Sequence, residues 1–181
     1  MSVLEDILAG YIETFHAQKE LAERAIEQVS DQDLRRALDE HTNSIAVIMK
    51  HVAGNLRSRF TDFLTSDGEK AWRDRDGEFV DNYRDRAEIV ADWESGWGVL
   101  FAALDGMGPE RMQNIVHIRG EAHSVPRALD RALAHVGYHA GQIVLTARVL
   151  CKDRWATITI PRGGSAEWNR AVGFEPSGDG A

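Results

Sequence analysis

The chain holds 181 residues, 43% apolar and 28% charged, which suits one buried core and is too hydrophobic for a disordered segment. A net charge of −8 at pH 7 excludes generic phosphate-backbone binding, so no nucleic-acid partner is expected. A single cysteine, Cys151, excludes an intramolecular disulfide and a thiolate cluster; the longest apolar run, residues 99–104, is too short to span a bilayer.

The acidic start, Met1-Ser2-Val3-Leu4-Glu5-Asp6, differs from a signal peptide, so a cytoplasmic protein without a membrane partner is expected. In chain order, Leu4, Ile7, Leu8, Tyr11, Ile12, Phe15, Leu21, Ala25 and Val29 recur at helical steps. Ser2 and Glu5 can form a capping box at that helix's start. Ser30 with Asp33 reads as a second cap, opening a short turn that runs to Leu38. A long helix is predicted over residues 43–63, with Ile45, Ile48, Val52, Leu56, Phe60 and Phe63 inward.

Residues 65–82 carry no period and mix acids with Lys70, Arg73 and Arg75 around Trp72 and Phe79. So long a loop in a compact domain is often functional, here as a cover for an open site, although a self-paired solvated loop explains the charges equally well. A third stripe, Ile89, Val90, Trp93, Trp97, Leu100, Phe101 and Leu104, ends at Gly106-Met107-Gly108-Pro109. The fourth starts near Ser124, with Pro126 in its first turn, and runs to about Leu150. Two β-branched stretches, 114–119 and 156–160, predict a small hairpin or edge pairing. The expected architecture is all-α: a four-helix bundle with short strand additions, one domain over residues 1–170, and a mobile tail over 171–181.

Seven histidines are present, and two of them, His135 and His139, lie four apart in the fourth helix. At about 100° per residue they stack on one side, where two imidazoles can grip one divalent ion. His51 flanks the apolar stripe of the second helix, with Asn55 one turn further on, so two helices can bring three imidazoles together. The spacing alone is weak, and Val136 stands where a metalloprotease of the H-E-x-x-H type needs its glutamate. His16 and His41 read as structural or solvated, His117 lies opposite Val116 and Ile118 on its segment, and His123 is about 18 Å along the chain axis from His135, too far to share its ion.

Several blocks make the sequence resemble the DinB/YfiT-like superfamily, in a branch of unknown function. They are Lys50-His51-Val52-Ala53-Gly54-Asn55-Leu56 with Asp67-Gly68-Glu69-Lys70, then Arg119-Gly120-Glu121-Ala122-His123-Ser124, then His135-Val136-Gly137-Tyr138-His139-Ala140-Gly141-Gln142, and Ile160-Pro161-Arg162-Gly163-Gly164-Ser165. The resemblance implies an up-down-down-up four-helix bundle holding a divalent metal on His51, His135 and His139, and frequent homodimers. Relatives include metal-dependent transferases using low-molecular-weight thiols, a maleylpyruvate isomerase and proposed hydrolases.

The expectation is therefore a metal-dependent enzyme on a small-molecule substrate, thiol S-transferase-like with hydrolase as runner-up, using zinc or nickel and a low-molecular-weight thiol. Asn55 is a candidate pocket or ligand-orienting residue, with helix packing as the other reading. Tyr138 reads as a packing residue, and no residue presents itself as the general base. The alternative is a non-catalytic, metal-stabilised module for ligand binding or dimerisation, to which five tryptophans could lend surface.

Overall fold

The computed structural model describes residues 2–174. Four long helices form the body: α1 (Val3–Ile26), α3 (Ile45–Phe60), α4 (Arg86–Asp105) and α5 (Val125–Cys151). Short α2 (Asp31–Leu34) follows α1, strands β1 (Ile115–Ile118) and β2 (Glu121–Ser124) precede α5, and α6 (Ser165–Ala171) follows it. No described helix is long and apolar enough to cross a membrane.

Each long helix begins where a side chain supplies an acceptor for an orphan backbone N–H. Ser2 completes the capping box with Glu5, Ser44 accepts from the N–H of Val47, Asp85 from that of Glu88, and Ser124 from that of Arg127. Ser30 does the same for α2 through the N–H of Asp33. α3 packs chiefly on α4 and α1 chiefly on α5, so the apolar stripes of all four meet in one core. That core contains Phe15, Ile45, Met49, Leu56, Ile89, Trp97, Leu100, Leu129 and Ile143, all nearly inaccessible. Burying such side chains stabilises by about 1.5–3 kcal/mol each before entropy is counted. α3 is the most completely buried helix, because α4 covers one of its flanks and α5 and the 61–85 segment cover others.

The all-α class with a small β addition holds, but the second strand is not where β-branching suggested. Residues 156–160 form no strand; β1 instead pairs antiparallel with β2, Ile115 opposite Ser124 and Ile118 opposite Glu121. The turn between them, Arg119 and Gly120, takes positive φ at both positions (57° and 76°), as a two-residue hairpin of the type I′ kind requires. The helix predicted over 43–63 closes at Phe60, since Thr61 leaves the helical region and Asp62 turns to φ 50°. Within the tail predicted over 171–181, Ala171 still belongs to α6, and residues 175–181 lie outside the described residues.

The segment between α3 and α4 contains one 3₁₀ turn, Gly77–Phe79, and is not loosely solvated. Buried Ser58 accepts from the N–H of Lys70 (3.3 Å) and donates to the carbonyl of Gly68 (2.8 Å), stitching the segment to α3. Gly68 donates to the carbonyl of His117 (2.8 Å), and the Asp67 carboxylate accepts from the N–H groups of Glu69 (2.7 Å), Gly120 (2.7 Å) and Arg119 (2.8 Å). Those three backbone donors hold the Asp67 carboxyl down at about 2. At the far end, Lys50 donates to the Val80 carbonyl (2.8 Å) and Arg35 makes a forked contact with Asp81.

Candidate metal centre

His51 comes from the middle of α3, where helical spacing sets it beside the buried face occupied by Ile48 and Val52. His135 and His139 come from α5, at the edge of the face formed by Val136, Ala140 and Ile143. Contact between α3 and α5 brings the three rings together: one ring nitrogen of each lies within 4.8 Å of the others. The Nε2 atoms of His51 and His135 are 3.1 Å apart. Two nitrogens bound to one ion at 2.0–2.1 Å with tetrahedral angles stand about 3.4 Å apart, so this pair is already near a shared-ion spacing.

Nδ1 of His51 and Nδ1 of His139 are engaged in a way that fixes the tautomers of those two rings, whereas Nδ1 of His135 is buried with no hydrogen-bond partner among the described residues. Nδ1 of His51 is 2.9 Å from Oε2 of Glu78, and Nδ1 of His139 is 2.8 Å from Oε1 of Gln142. With the Nδ1 proton donated outward, each ring presents the lone pair of Nε2 inward, the form a metal needs. Gln142 in turn donates to the Tyr138 hydroxyl (3.0 Å). Burial, reinforced by the neighbouring His139 and His51, pushes His135 down to about 3, and burial likewise lowers His139 against the pull of Gln142. Both rings are therefore neutral at physiological pH, competent as ligands and lacking positive charge that would repel a cation. The all-nitrogen donor set suits zinc, nickel, copper or iron. These residues fit a divalent ion.

Glu78 carries no periodic signal in the sequence, yet it is the most consequential neighbour of the cluster. It sits on a 3₁₀ turn (Gly77–Phe79) and is 5% exposed. Burial alone would raise its carboxyl, but hydrogen bonds from His51 and from Arg73 (Nε 2.7 Å, Nη2 2.9 Å) outweigh that and keep it below the usual carboxylate range. The Arg73 side chain is 1% exposed, so a buried, forked ion pair backs the imidazole. Phe79 stacks on the His51 ring at 4.8 Å between centroids. Gly54, one turn after His51, leaves the space the carboxylate occupies: a Cβ there would stand 2.7 Å from Cδ of Glu78.

Beside the cluster lies a cavity of about 170 Å³ whose lining includes His51, His135 and Asn55. Asn55 thus lies at the pocket wall. His117, which the sequence left as a strand residue, also lines it, while His16 stacks on Phe101 and His41 is exposed on a turn. His123 is buried with no hydrogen-bond partner among the described residues. Tyr138 is not a packing residue: it is 63% exposed, because position 138 falls on the outer face of α5 and only its hydroxyl and ring edge meet Gln142 and His139.

A family model described as a protein of unknown function (DUF1572) matches residues 2–164 of the chain. The chain matches no curated protein and no solved structure.

Proposed function

We propose that this chain, which belongs to the DUF1572 family, is a metal-dependent enzyme acting on small molecules, with His51, His135 and His139 holding one divalent ion. The observation that carries the reading is the convergence of three ring nitrogens within 4.8 Å beside a cavity that His51 and His135 line. Three protein ligands are the usual complement of a catalytic rather than a closed structural site. A divalent ion there supplies Lewis acidity, lowering the pKa of a water or a thiol towards neutrality.

The chain's own residues supply the setting. Glu78 accepts the Nδ1 proton of His51 and Gln142 that of His139, so both rings stay oriented without a bound ion. The apolar side chains of Phe60, Phe63 and Ile118 line the cavity and limit water beside the imidazoles. Asn55 can offer a hydrogen bond to whatever enters.

Resemblance to the DinB/YfiT-like superfamily favours transfer of a low-molecular-weight thiol to a small electrophile, with hydrolysis second and zinc or nickel as the metal. It also favours a homodimer, for which Leu145 and Val149, exposed one turn apart on α5, offer apolar surface. The test replaces His139 with alanine and measures bound metal together with turnover in a screen of small thiols and electrophiles. Loss of both supports the reading. Full turnover by a metal-free variant refutes it.

A further inference from the structure

The cavity that opens from the histidines has a charge opposite to that of the whole chain. Four arginines line it, Arg59, Arg75, Arg119 and Arg131, and no carboxylate does. Of the neighbouring acids, Glu69 is shared, accepting from Arg59 Nη2 (3.2 Å) and from Arg119 Nε (3.1 Å), and Asp67 is occupied by the backbone N–H groups of Glu69, Arg119 and Gly120. Among the described residues, Arg75 and Arg131 form no ion pair with any acid, and Nη1 of Arg59 is buried with no hydrogen-bond partner. The Arg59 side chain is 12% exposed, so an incompletely paired guanidinium is held largely out of water. Desolvating such a charge is costly unless an anion completes its contacts. A net charge of −8 makes an acid-free, arginine-lined cavity hard to ascribe to a merely solvated surface.

Apart from the histidines and Asn55, the remaining side chains of the wall are apolar. Phe60 and Phe63 form one side; Ala128 and Ala132, one turn apart on α5, keep the other side open. Arg131, His135 and His139 recur at four-residue steps along α5, so the backbone positions of Arg131 and His135 lie about 6 Å apart along the helix axis, on one side of it. The volume of about 170 Å³ is below the roughly 300–1,000 Å³ typical of drug-sized ligands.

We infer that this cavity is the substrate pocket and takes a small acid, whose carboxylate or phosphate is held by Arg131 with Arg59 and Arg75 while its short apolar body runs towards the three histidines. The inference rests on the proposed metal-dependent reading for the role of the imidazole end, but the anion contacts belong to the arginines alone. Guanidinium forks match both oxyanions bidentately, which lysines in their place would not.

The experiment titrates the zinc-loaded full chain by calorimetry with inorganic phosphate, with butyrate, and with butyramide as the uncharged counterpart. Arg131 is exposed and unpaired, so Arg131→Gln is expected to fold normally. Binding of phosphate or butyrate but not butyramide, weakened about tenfold or more in Arg131→Gln with zinc content unchanged, is the expected result. Tighter phosphate identifies a phosphate ester as the substrate class, tighter butyrate a carboxylic acid. Equal affinity for butyrate and butyramide, no binding of either anion, or unaltered anion affinity in Arg131→Gln overturns the inference, the last because the anion then sits on the metal alone. If the chain takes up neither zinc nor nickel, the metal reading fails by itself, and the same titrations on the metal-free chain decide the anion pocket.

Discussion

At the scale of single residues, the centre depends on a relay that runs from Arg73 through Glu78 to His51. Glu78→Gln can still accept the Nδ1 proton, yet it leaves the buried Arg73 guanidinium with only the more distant Glu69 carboxylate (3.8 Å) as counter-charge. Breaking one side of a buried pair costs about 3–5 kcal/mol, and loss of a carboxylate behind a ligand histidine typically weakens metal binding about 10–100-fold. Denaturant unfolding and chelator competition on Glu78→Gln should show both effects. Gly54→Ala touches no ligand, but its methyl collides with the Glu78 carboxylate, which Arg73 and His51 hold in place. Metal affinity should therefore fall in Gly54→Ala, and a variant binding as tightly as the parent would show that Glu78 does not orient His51. The histidines themselves were legible because His135 and His139 share a helix, and helical spacing alone fixes their relation. His51 was a candidate from its place beside the apolar stripe of its helix, and the resemblance strengthened it, since only tertiary contact joins α3 to α5. Glu78 lies 27 positions from His51 on an aperiodic loop, and nothing in local spacing points from one to the other. The arginines misled in a similar way: Arg73 and Arg75 read as charges interleaved with acids, while the fold buries the first against Glu78 and sets the second, with Arg59, on the cavity.

At the scale of elements, two close fits decide whether the cavity keeps its shape. α3 and α4 approach so closely that a Cβ on Gly96 would come within 2.5 Å of the Ala53 Cα. Backbone cannot yield as a side-chain tip can, so Gly96→Ala should force the helices apart and cost at least the 1–3 kcal/mol or so of ordinary overpacking, read as a lower denaturant midpoint. The second fit is Asp67, which ties the segment after α3 to the turn between β1 and β2. Its carboxyl titrates at about 2 in the folded chain, below the ordinary carboxylate value of about 3.9. The stabilisation it gives is thus present above about pH 4 and lost as pH falls from 4 through 2. Asp67→Asn should be less stable than the parent at neutral pH and should show a shallower loss of stability over that acid interval, measured by urea unfolding at stepped pH. The helices were readable from period and caps, since Ser2, Ser30 and Ser124 each mark a start the fold uses. The hairpin was half readable: the β-branched run at 115–118 is strand, but its partner follows at once because Gly120 and Arg119 accept positive φ, a backbone choice that hydrophobic pattern does not report.

At the scale of the whole molecule, four helices present one core, and the polar centre lies at the seam between α3 and α5 rather than in that core. That four-helix apolar core does not depend on an ion, so metal should add to the stability of a folded chain rather than create the fold. With free metal at about 100 times its Kd the gain is about 2.7 kcal/mol, or roughly 5–10 °C in Tm for a domain of this size. Scanning calorimetry of metal-free and metal-loaded protein should show that rise, absent in His135→Ala. The account stands or falls most directly on elemental analysis of untagged protein, after reconstitution and exhaustive dialysis, beside single alanine variants of His51, His135 and His139. One divalent ion per chain in the parent, lost in every variant, is the predicted result; a parent that retains no more metal than the variants would contradict it.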